Sequence, residues 1–195
     1  MPALNKRSIS LQLNAAQVAI SNALTDSETL KMLSEYGYTS ARIKEGQKLY
    51  EAARLAVNRH KSLSGEQQET TSQLNKTRIL AADAYQALAK VARAVWIRDK
   101  ARLEALGLHG KMPRSTGGFL NAAYTLFDNA GNNPGSNAVL ADYGYTKPRL
   151  ASERAKIAEY DKLNQAQEAA KGEAQNAVRE QDAALKELNE WLTRF

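Results

Sequence analysis

The sequence predicts an all-α protein, an elongated bundle of long helices built from two tandem copies of one structural plan. Its 195 residues include 33 Ala and 23 Leu, which favour helices, against only 6 Val and 6 Ile, which favour strands. No Pro occurs between Pro2 and Pro113, although a Pro inside a helix costs about 3 kcal/mol. The third observation is that apolar residues recur over long stretches at alternating spacings of three and four residues, a pattern typical of packed helices.

An internal match at an offset of 107 residues indicates a duplication. From Arg7 to Thr39 the ungapped match gives 13 identities in 33 positions, and over 7–88 against 114–195 it gives 17 in 82. The longest matches are LNAA (13–16 with 120–123) and YGYT (36–39 with 143–146). We therefore predict a first copy at 7–112 and a truncated second copy at 113–195, packed as one elongated unit.

Each copy is predicted to contain a helix, a break, a short helix, a corner and a long helix. The first helices cover about 8–24 and 116–130, and the breaks fall at 25–27 and 131–135. Asp26 or Ser27 is predicted to cap the short helix of the first copy, and Ser136 that of the second. Gly37 and Gly144 stand where a left-handed residue ends a helix.

The long helices carry a heptad-like seam with a polar middle. It runs from Ile43 to Leu106 in the first copy and from Leu150 to Phe195 in the second. Either each helix continues through Gly65 or Gly172, or the chain turns there into a hairpin. Residues 64–67 have the form of a capping box, which favours the turn, whereas the unbroken phase of the seam favours a continuous helix.

Several classes of function find no support in the sequence. The absence of Cys excludes disulfides, thiolate metal sites and a Cys nucleophile. Neither His60 nor His109 has a Glu three residues before it, so the Glu-x-x-His pattern of di-metal bundles is absent. We find no phosphate-binding loop and no nucleophile motif, and we expect no enzyme, metal or cofactor.

The sequence is also expected to be soluble and cytoplasmic. No apolar run exceeds four residues, and no apolar stretch follows the basic residues at the N-terminus, so neither a membrane span nor a signal peptide is predicted.

Positive charge is concentrated in the first copy. Residues 1–110 carry a net charge of +6, whereas residues 111–195 carry none. One helix face is predicted to gather part of this charge as a strip that could contact nucleic-acid phosphates: Lys76, Lys90, Arg93, Arg98 and Lys100. A solvated helix face is the simpler interpretation.

The two tyrosine corners form a second set of candidates. Corner packing explains them most simply, and a ligand or partner groove is the alternative: Tyr36, Tyr38 and Arg42 in the first copy, Tyr143, Tyr145 and Arg149 in the second. The spacing of Leu33, Gly37, Tyr38 and Ile43 resembles the turn of a DNA-binding helix–turn–helix, which implies sequence-specific DNA binding. The chain departs from that pattern at Gly46, where a core residue is usual, and an architectural joint fits better.

The leading hypothesis is a non-enzymatic helical scaffold or protein-interaction module, and the alternative is nonspecific nucleic-acid binding through the basic first copy. Self-association, or binding of another protein, is expected because residues 89–106 carry apolar side chains with no counterpart in the second copy to cover them. These side chains are Val91, Ala92, Val95, Trp96, Leu103 and Leu106.

Overall fold

The computed structural model describes residues 8–195, which form helices and contain no strand, and this confirms the all-α class. The seven helices of this range are α1 (Ile9–Thr25), α2 (Ser27–Glu35), α3 (Ser40–Val95), α4 (Lys100–Ala105), α5 (Thr116–Asn132), α6 (Pro134–Asp142) and α7 (Lys147–Arg194). The long helix α3 packs against the long helix α7.

Both long helices pass through their central glycine without a break. Gly65 lies inside α3 and Gly172 inside α7, so the hairpin alternative is wrong for both. Ser64, which could have begun a new helix, is a half-buried residue of α3. A helix-interior Gly costs only about 1 kcal/mol, a penalty that the rest of a helix 56 or 48 residues long readily offsets.

The short helices begin and end at the caps that the sequence contains. Asp26 caps α2, as predicted, and accepts the amide of Glu28 at 3.1 Å. In α6 the cap is Asn133, followed by Pro134 in the first turn, so the prediction of Ser136 was wrong. Asn133 Oδ1 accepts the Ser136 amide at 2.9 Å, and Ser136 itself is buried inside the helix.

The corners behind the short helices have the predicted left-handed glycines. Gly37 has φ +84° and Gly144 has φ +83°, and Tyr38 and Tyr145 donate their amides back to Leu33 and Leu140 at 3.0 and 2.9 Å. This pattern is a Schellman motif, which satisfies carbonyls at a helix end.

The chain divides into two compact units. Unit 1 combines the described residues up to Gln67 with Ala170–Phe195, and unit 2 is Gln68–Ala169. Each unit therefore draws on both predicted copies, because each long helix gives one part to each unit. The copy boundaries at 7–112 and 113–195 rest on the sequence match and stay a prediction.

Unit 1 has a small aliphatic core. It joins α1, the first part of α3 and the last part of α7 through the buried residues Ala16, Ile20, Ala23, Ile43, Ala53, Val57, Leu185 and Leu188. Within this unit α3 and α7 run antiparallel, since Gly46 lies against Trp191 while the His60 ring nitrogen Nδ1 lies 2.9 Å from Gln181 Oε1. His60 itself is half-buried.

Unit 2 has a larger core with aromatic side chains. Phe119 of α5 makes edge-to-face contacts with Tyr85 of α3 and Tyr160 of α7, at centroid distances of 5.8 and 5.9 Å. Leu106 and Leu108, which follow α4, belong to the same core and are 1% and 4% exposed.

The premise that residues 89–106 have nothing to cover them was wrong. Ala92 and Leu106 are fully buried in unit 2, and Val91, Trp96 and Leu103 pack partly buried against its core. The chain itself covers them, because α4 and the segment after it lie against α5. This reason for expecting self-association therefore does not hold, and self-association stays a prediction.

Candidate interaction surfaces

Helix α1 presents an uncharged apolar face to solvent. Its 17 residues contain no Asp, Glu, Lys or Arg. One stripe of the helix (Ala16, Ile20, Ala23) is buried, while Leu11 and Val18 are 58% and 50% exposed on other sides. Ala15 and Asn22 are exposed as well, and they share a face with Leu11 and Val18 through the i, i+4, i+7, i+11 spacing. We call these four residues the α1 outer face.

The corresponding face of α5, 107 residues later, is partly covered by the chain itself: Gly118, Ala122 and Thr125 are half-buried, and Asn129 is exposed. Asn129 Nδ2 donates to the carbonyl of Ala105, the last residue of α4, at 2.6 Å. Gly107 comes so close to Thr125 that an added Cβ would lie 3.0 Å from the Thr125 methyl carbon. Ala122 is partly buried against the core that contains Leu106 and Leu108.

Residues 102–108, which lie on this face of α5, form the covering segment. Arg102 anchors this segment to the start of α6. Its Nη1 donates to Asn133 Oδ1 and to Ser136 Oγ, both at 3.3 Å. Asn133 Oδ1 thus serves the helix cap and the arginine together. Unit 2 therefore shows which segment fits such a face.

Two acidic residues at the start of α2, its cap Asp26 and Glu28, stand at the matching positions of unit 1. Asp26 matches Asn133 and Glu28 matches Gly135 at the offset of 107. The hydrogen bond from the Thr29 hydroxyl, followed by that from the Glu28 amide, lowers the pKa of Asp26. The Asp26 carboxylate is fully exposed, so the entrance to α2 is a negatively charged site.

The structure separates the tyrosines of each predicted corner groove. Tyr36 and Tyr143 are 80% and 58% exposed, whereas Tyr145 is buried and Tyr38 half-buried. Only the second tyrosine of each motif therefore packs at its corner.

Each corner arginine lies over the inner tyrosine ring. The Arg42 guanidinium carbon is 4.8 Å from the centre of the Tyr38 ring, and that of Arg149 is 4.3 Å from the Tyr145 ring. Arg149 also donates to the Gly144 carbonyl at 3.2 Å. The arginines thus contribute to the corners as cation–π partners, and a ligand groove at the corners stays a prediction.

The predicted basic strip lies on unit 2. Lys76, Lys90 and Arg93 belong to α3, Arg98 to the turn after it, and Lys100 begins α4. All five are exposed, and within residues 8–195 none forms an ion pair. Arg93 donates to the Gly110 carbonyl at 3.2 Å, and Asp83 stands on the same helix face between Lys76 and Lys90.

A polar cluster between α5 and α7 was not predicted from the sequence. Arg154 Nε pairs with Asp128 at 2.5 Å, and its guanidinium carbon lies 5.0 Å from the centre of the Tyr124 ring. The Tyr124 hydroxyl donates to Asp161 at 3.0 Å. Burial, and then this hydrogen bond, raises the pKa of Tyr124. Each charged group has an ion-pair or hydrogen-bond partner inside the cluster. We therefore interpret the cluster as a packing contact between α5 and α7.

At the matching place in unit 1 a groove of about 470 Å³ lies between α1 and α3. Gln17, Ser21 and Gln47 stand where unit 2 has Tyr124, Asp128 and Arg154, so smaller or uncharged side chains leave this space open.

The described residues contain neither a metal-binding group nor a membrane span. In residues 8–195 no three His, Asp or Glu side chains are placed to hold a metal ion. None of the helices in this range is both long and apolar enough to cross a bilayer.

Comparison with known proteins gives no match. No protein-family model, no curated protein and no solved structure matches this chain. Its function must therefore be argued from its own surfaces.

Proposed function

We propose that this protein is a non-enzymatic, cytoplasmic helical scaffold whose task is to bind another protein. The α1 outer face carries the proposal: it is uncharged, largely apolar and exposed, while the same face of α5 is partly covered by a segment of the chain. Exposed apolar helix faces of this kind favour contact with a protein rather than with nucleic acid, because they offer no cation to a phosphate.

Photo-crosslinking from the α1 outer face tests this function. With benzoylphenylalanine in place of Val18, we expect a discrete covalent adduct after irradiation of cells that contain the protein. The same probe in place of Glu159, an exposed residue of α7, is the control and should give no such adduct. An adduct of twice the chain mass identifies self-association. Equal labelling at both positions, or none at Val18, would refute the proposal.

Nonspecific nucleic-acid binding is the second candidate, supported by the basic strip. Residues 76–114 hold nine Lys or Arg against three Asp or Glu, whereas the described residues of unit 1 are balanced at eleven of each. Such a local excess attracts polyanions without sequence preference.

Charge reversal tests this second candidate. Binding of a DNA duplex or an RNA at low salt should weaken steeply with added salt, and Lys90→Glu with Lys100→Glu should abolish it. Lys31→Glu with Lys48→Glu, two exposed lysines of unit 1, is the matched control and should change little. No gel shift with either nucleic acid at low salt would eliminate this candidate.

A further inference from the structure

The contacts of α5 show which segment of this chain lies on the face that corresponds to the α1 outer face. Three side chains of α5 and the residue that caps α6 lie at or near the segment formed by residues 102–108. Ala122 packs against the core that contains Leu106 and Leu108, Thr125 lies close to Gly107, Asn129 binds the Ala105 carbonyl, and Asn133 binds Arg102. At the offset of 107 their counterparts are Ala15, Val18, Asn22 and Asp26. Two of these are identical, and the other two have the same shape, because Val replaces Thr and Asp replaces Asn. The side chains that lie at or near α4 in unit 2 thus have counterparts of the same or similar shape in unit 1.

We infer that the α1 outer face is the docking site for a segment of another protein with the chemistry of residues 102–108. That segment is Arg-Leu-Glu-Ala-Leu-Gly-Leu, a helical turn ended by glycine. This inference rests on the proposed function and names the partner's chemistry.

The exposed Asn22 side chain supplies the polar anchor. In unit 2 the identical Asn129 donates to the carbonyl that ends α4. Asn22 is exposed, and no hydrogen bond of its side chain is found within residues 8–195. It is therefore available to bind the last carbonyl of an incoming helical turn, a group that helices leave unsatisfied.

Glycine is required in the partner for a steric reason. Gly107 has φ +71°, and an added Cβ would come to 3.0 Å from the Thr125 methyl carbon. Val18 has the same branched shape as Thr125 and sets the same limit. Its second methyl group makes the site more apolar than that of α5, which suits the leucines on either side of the glycine.

Charge complementarity selects arginine at the first position of the segment. The Arg102 guanidinium is held by Asn133, and an added Cβ at Gly135 would lie 3.9 Å from its Nη2. Unit 1 has Asp26 and Glu28 at these two positions, so a guanidinium there would meet two carboxylates instead of one amide. Hydrogen bonds between charged groups are about twice as strong as neutral ones.

A second copy of this chain does not fit as the donor of the segment. Its own residues 102–108 are docked on α5, with Leu106 and Leu108 1% and 4% exposed. Releasing them would expose two leucines and leave Asn129 and Asn133 without these bonds. Residues 102–108 of a second copy are therefore not the donor.

A peptide with the sequence of residues 96–115 tests the inference on the intact protein by NMR. At peptide concentrations up to about 1 mM, which detect binding of about 4 kcal/mol, we expect saturable shifts of the Asn22 side-chain amide and of the Val18 methyl groups. Resonances of Asn129 report displacement of the chain's own α4 and should not move.

Paired variants distinguish the inferred contacts from nonspecific hydrophobic binding of the peptide. Val18→Glu should weaken peptide binding at least tenfold, whereas Ile79→Glu, at a residue of unit 2 that is 62% exposed, should not change it. Arg102→Ala in the peptide and Asp26→Asn in the protein should each weaken binding about threefold or more. Together they should weaken it less than the product of the two effects, since they remove one contact.

Four outcomes would overturn the inference: no shift at Asn22, shifts confined to Asn129, an Arg102→Ala peptide that binds as well as the original, or a homodimer that Val18→Glu dissociates. If Val18 still crosslinks to a protein while the peptide fails, the proposed function stands and the partner chemistry is wrong. If Val18→Glu instead dissociates a homodimer, the occupant of the face is a second copy.

Discussion

At the scale of single residues, Gly46 determines how closely α3 and α7 approach in unit 1. A Cβ placed on Gly46 would lie 2.4 Å from the Trp191 ring. That ring is stacked on Phe195 at 4.7 Å, and Phe195 in turn contacts Tyr38 edge-on at 5.2 Å. Because Trp191 is already stacked on Phe195, it has little room to retreat from an added methyl group.

We therefore expect Gly46→Ala to destabilise the protein by about 1–3 kcal/mol, the usual range for overpacking. The matched control is Gly65→Ala in the same helix, where an added Cβ meets no atom within 4 Å. This change should stabilise the protein by about 0.5–1 kcal/mol, because Ala loses less backbone entropy in a helix. Urea unfolding followed by tryptophan fluorescence measures both. A stabilised Gly46→Ala variant would contradict this account of the contact.

The sequence could not reveal the role of Gly46. It lies on the predicted seam, but spacing alone does not tell which residue of another helix faces it. The matching position of the second copy holds Glu153, which pairs with Lys156 at 2.7 Å. Comparing the two copies therefore does not indicate a close helix contact at Gly46 either. Long-range pairing decides such positions, whereas the periodic pattern specifies only which side of a helix is apolar.

At the scale of elements, the glycine corners fix where each short helix ends and each long helix begins. Gly37 and Gly144 have positive φ, where a Cβ is strained. In addition, a Cβ at Gly144 would lie 3.2 Å from the Arg149 guanidinium, which also binds the Gly144 carbonyl.

Replacing either glycine by alanine should cost about 1–2 kcal/mol, the usual cost of a left-handed conformation for an L-residue. Gly131→Ala, inside α5 and free of neighbours within 4 Å, is the control and should be neutral or stabilising. Thermal unfolding followed by circular dichroism distinguishes the two classes. Equal melting temperatures for Gly144→Ala and Gly131→Ala would show that the corner does not require glycine.

Local signals predicted most elements correctly. The glycine corners, the Asp26 cap and both first helices followed from residue type and position. The cap of α6 was wrongly predicted at Ser136, because a Pro at the first helical position, here Pro134, indicates that the residue before it, Asn133, is the cap. The covering of α5 by α4 was missed for another reason: a helix of six residues has too little periodicity to be recognised.

The sequence contains a signal for the α1 outer face. A helix of 17 residues without any charge, with Leu11 and Val18 one heptad apart and off the buried stripe, already indicates a second apolar surface. What this surface binds could not be predicted from the sequence, because it depends on the contacts of α4 in unit 2.

At the scale of the whole molecule, the two units differ in the size of their cores. Helix α5 buries Phe119, Leu120, Leu126 and Phe127 among others, whereas α1 buries only Ala16, Ile20 and Ala23, and α2 buries none. A fully buried large aliphatic or aromatic side chain contributes about 1.5–3 kcal/mol. Local opening should therefore be much easier for α1 and α2 than for α5.

Native-state hydrogen exchange should show this difference. We expect the amide of Ala23 in α1 to open with a free energy at least about 2 kcal/mol below that of Ala130 in α5. The two amides make a matched pair, because both alanines follow an asparagine and are fully buried, so their intrinsic exchange rates are nearly equal. Equal protection would show that α1 unfolds only with the rest of the chain.

If protection is lower, as expected, a partner that covers the α1 outer face would also stabilise the least stable part of unit 1. Binding at this face would then slow the exchange of Ala23 while leaving Ala130 unchanged.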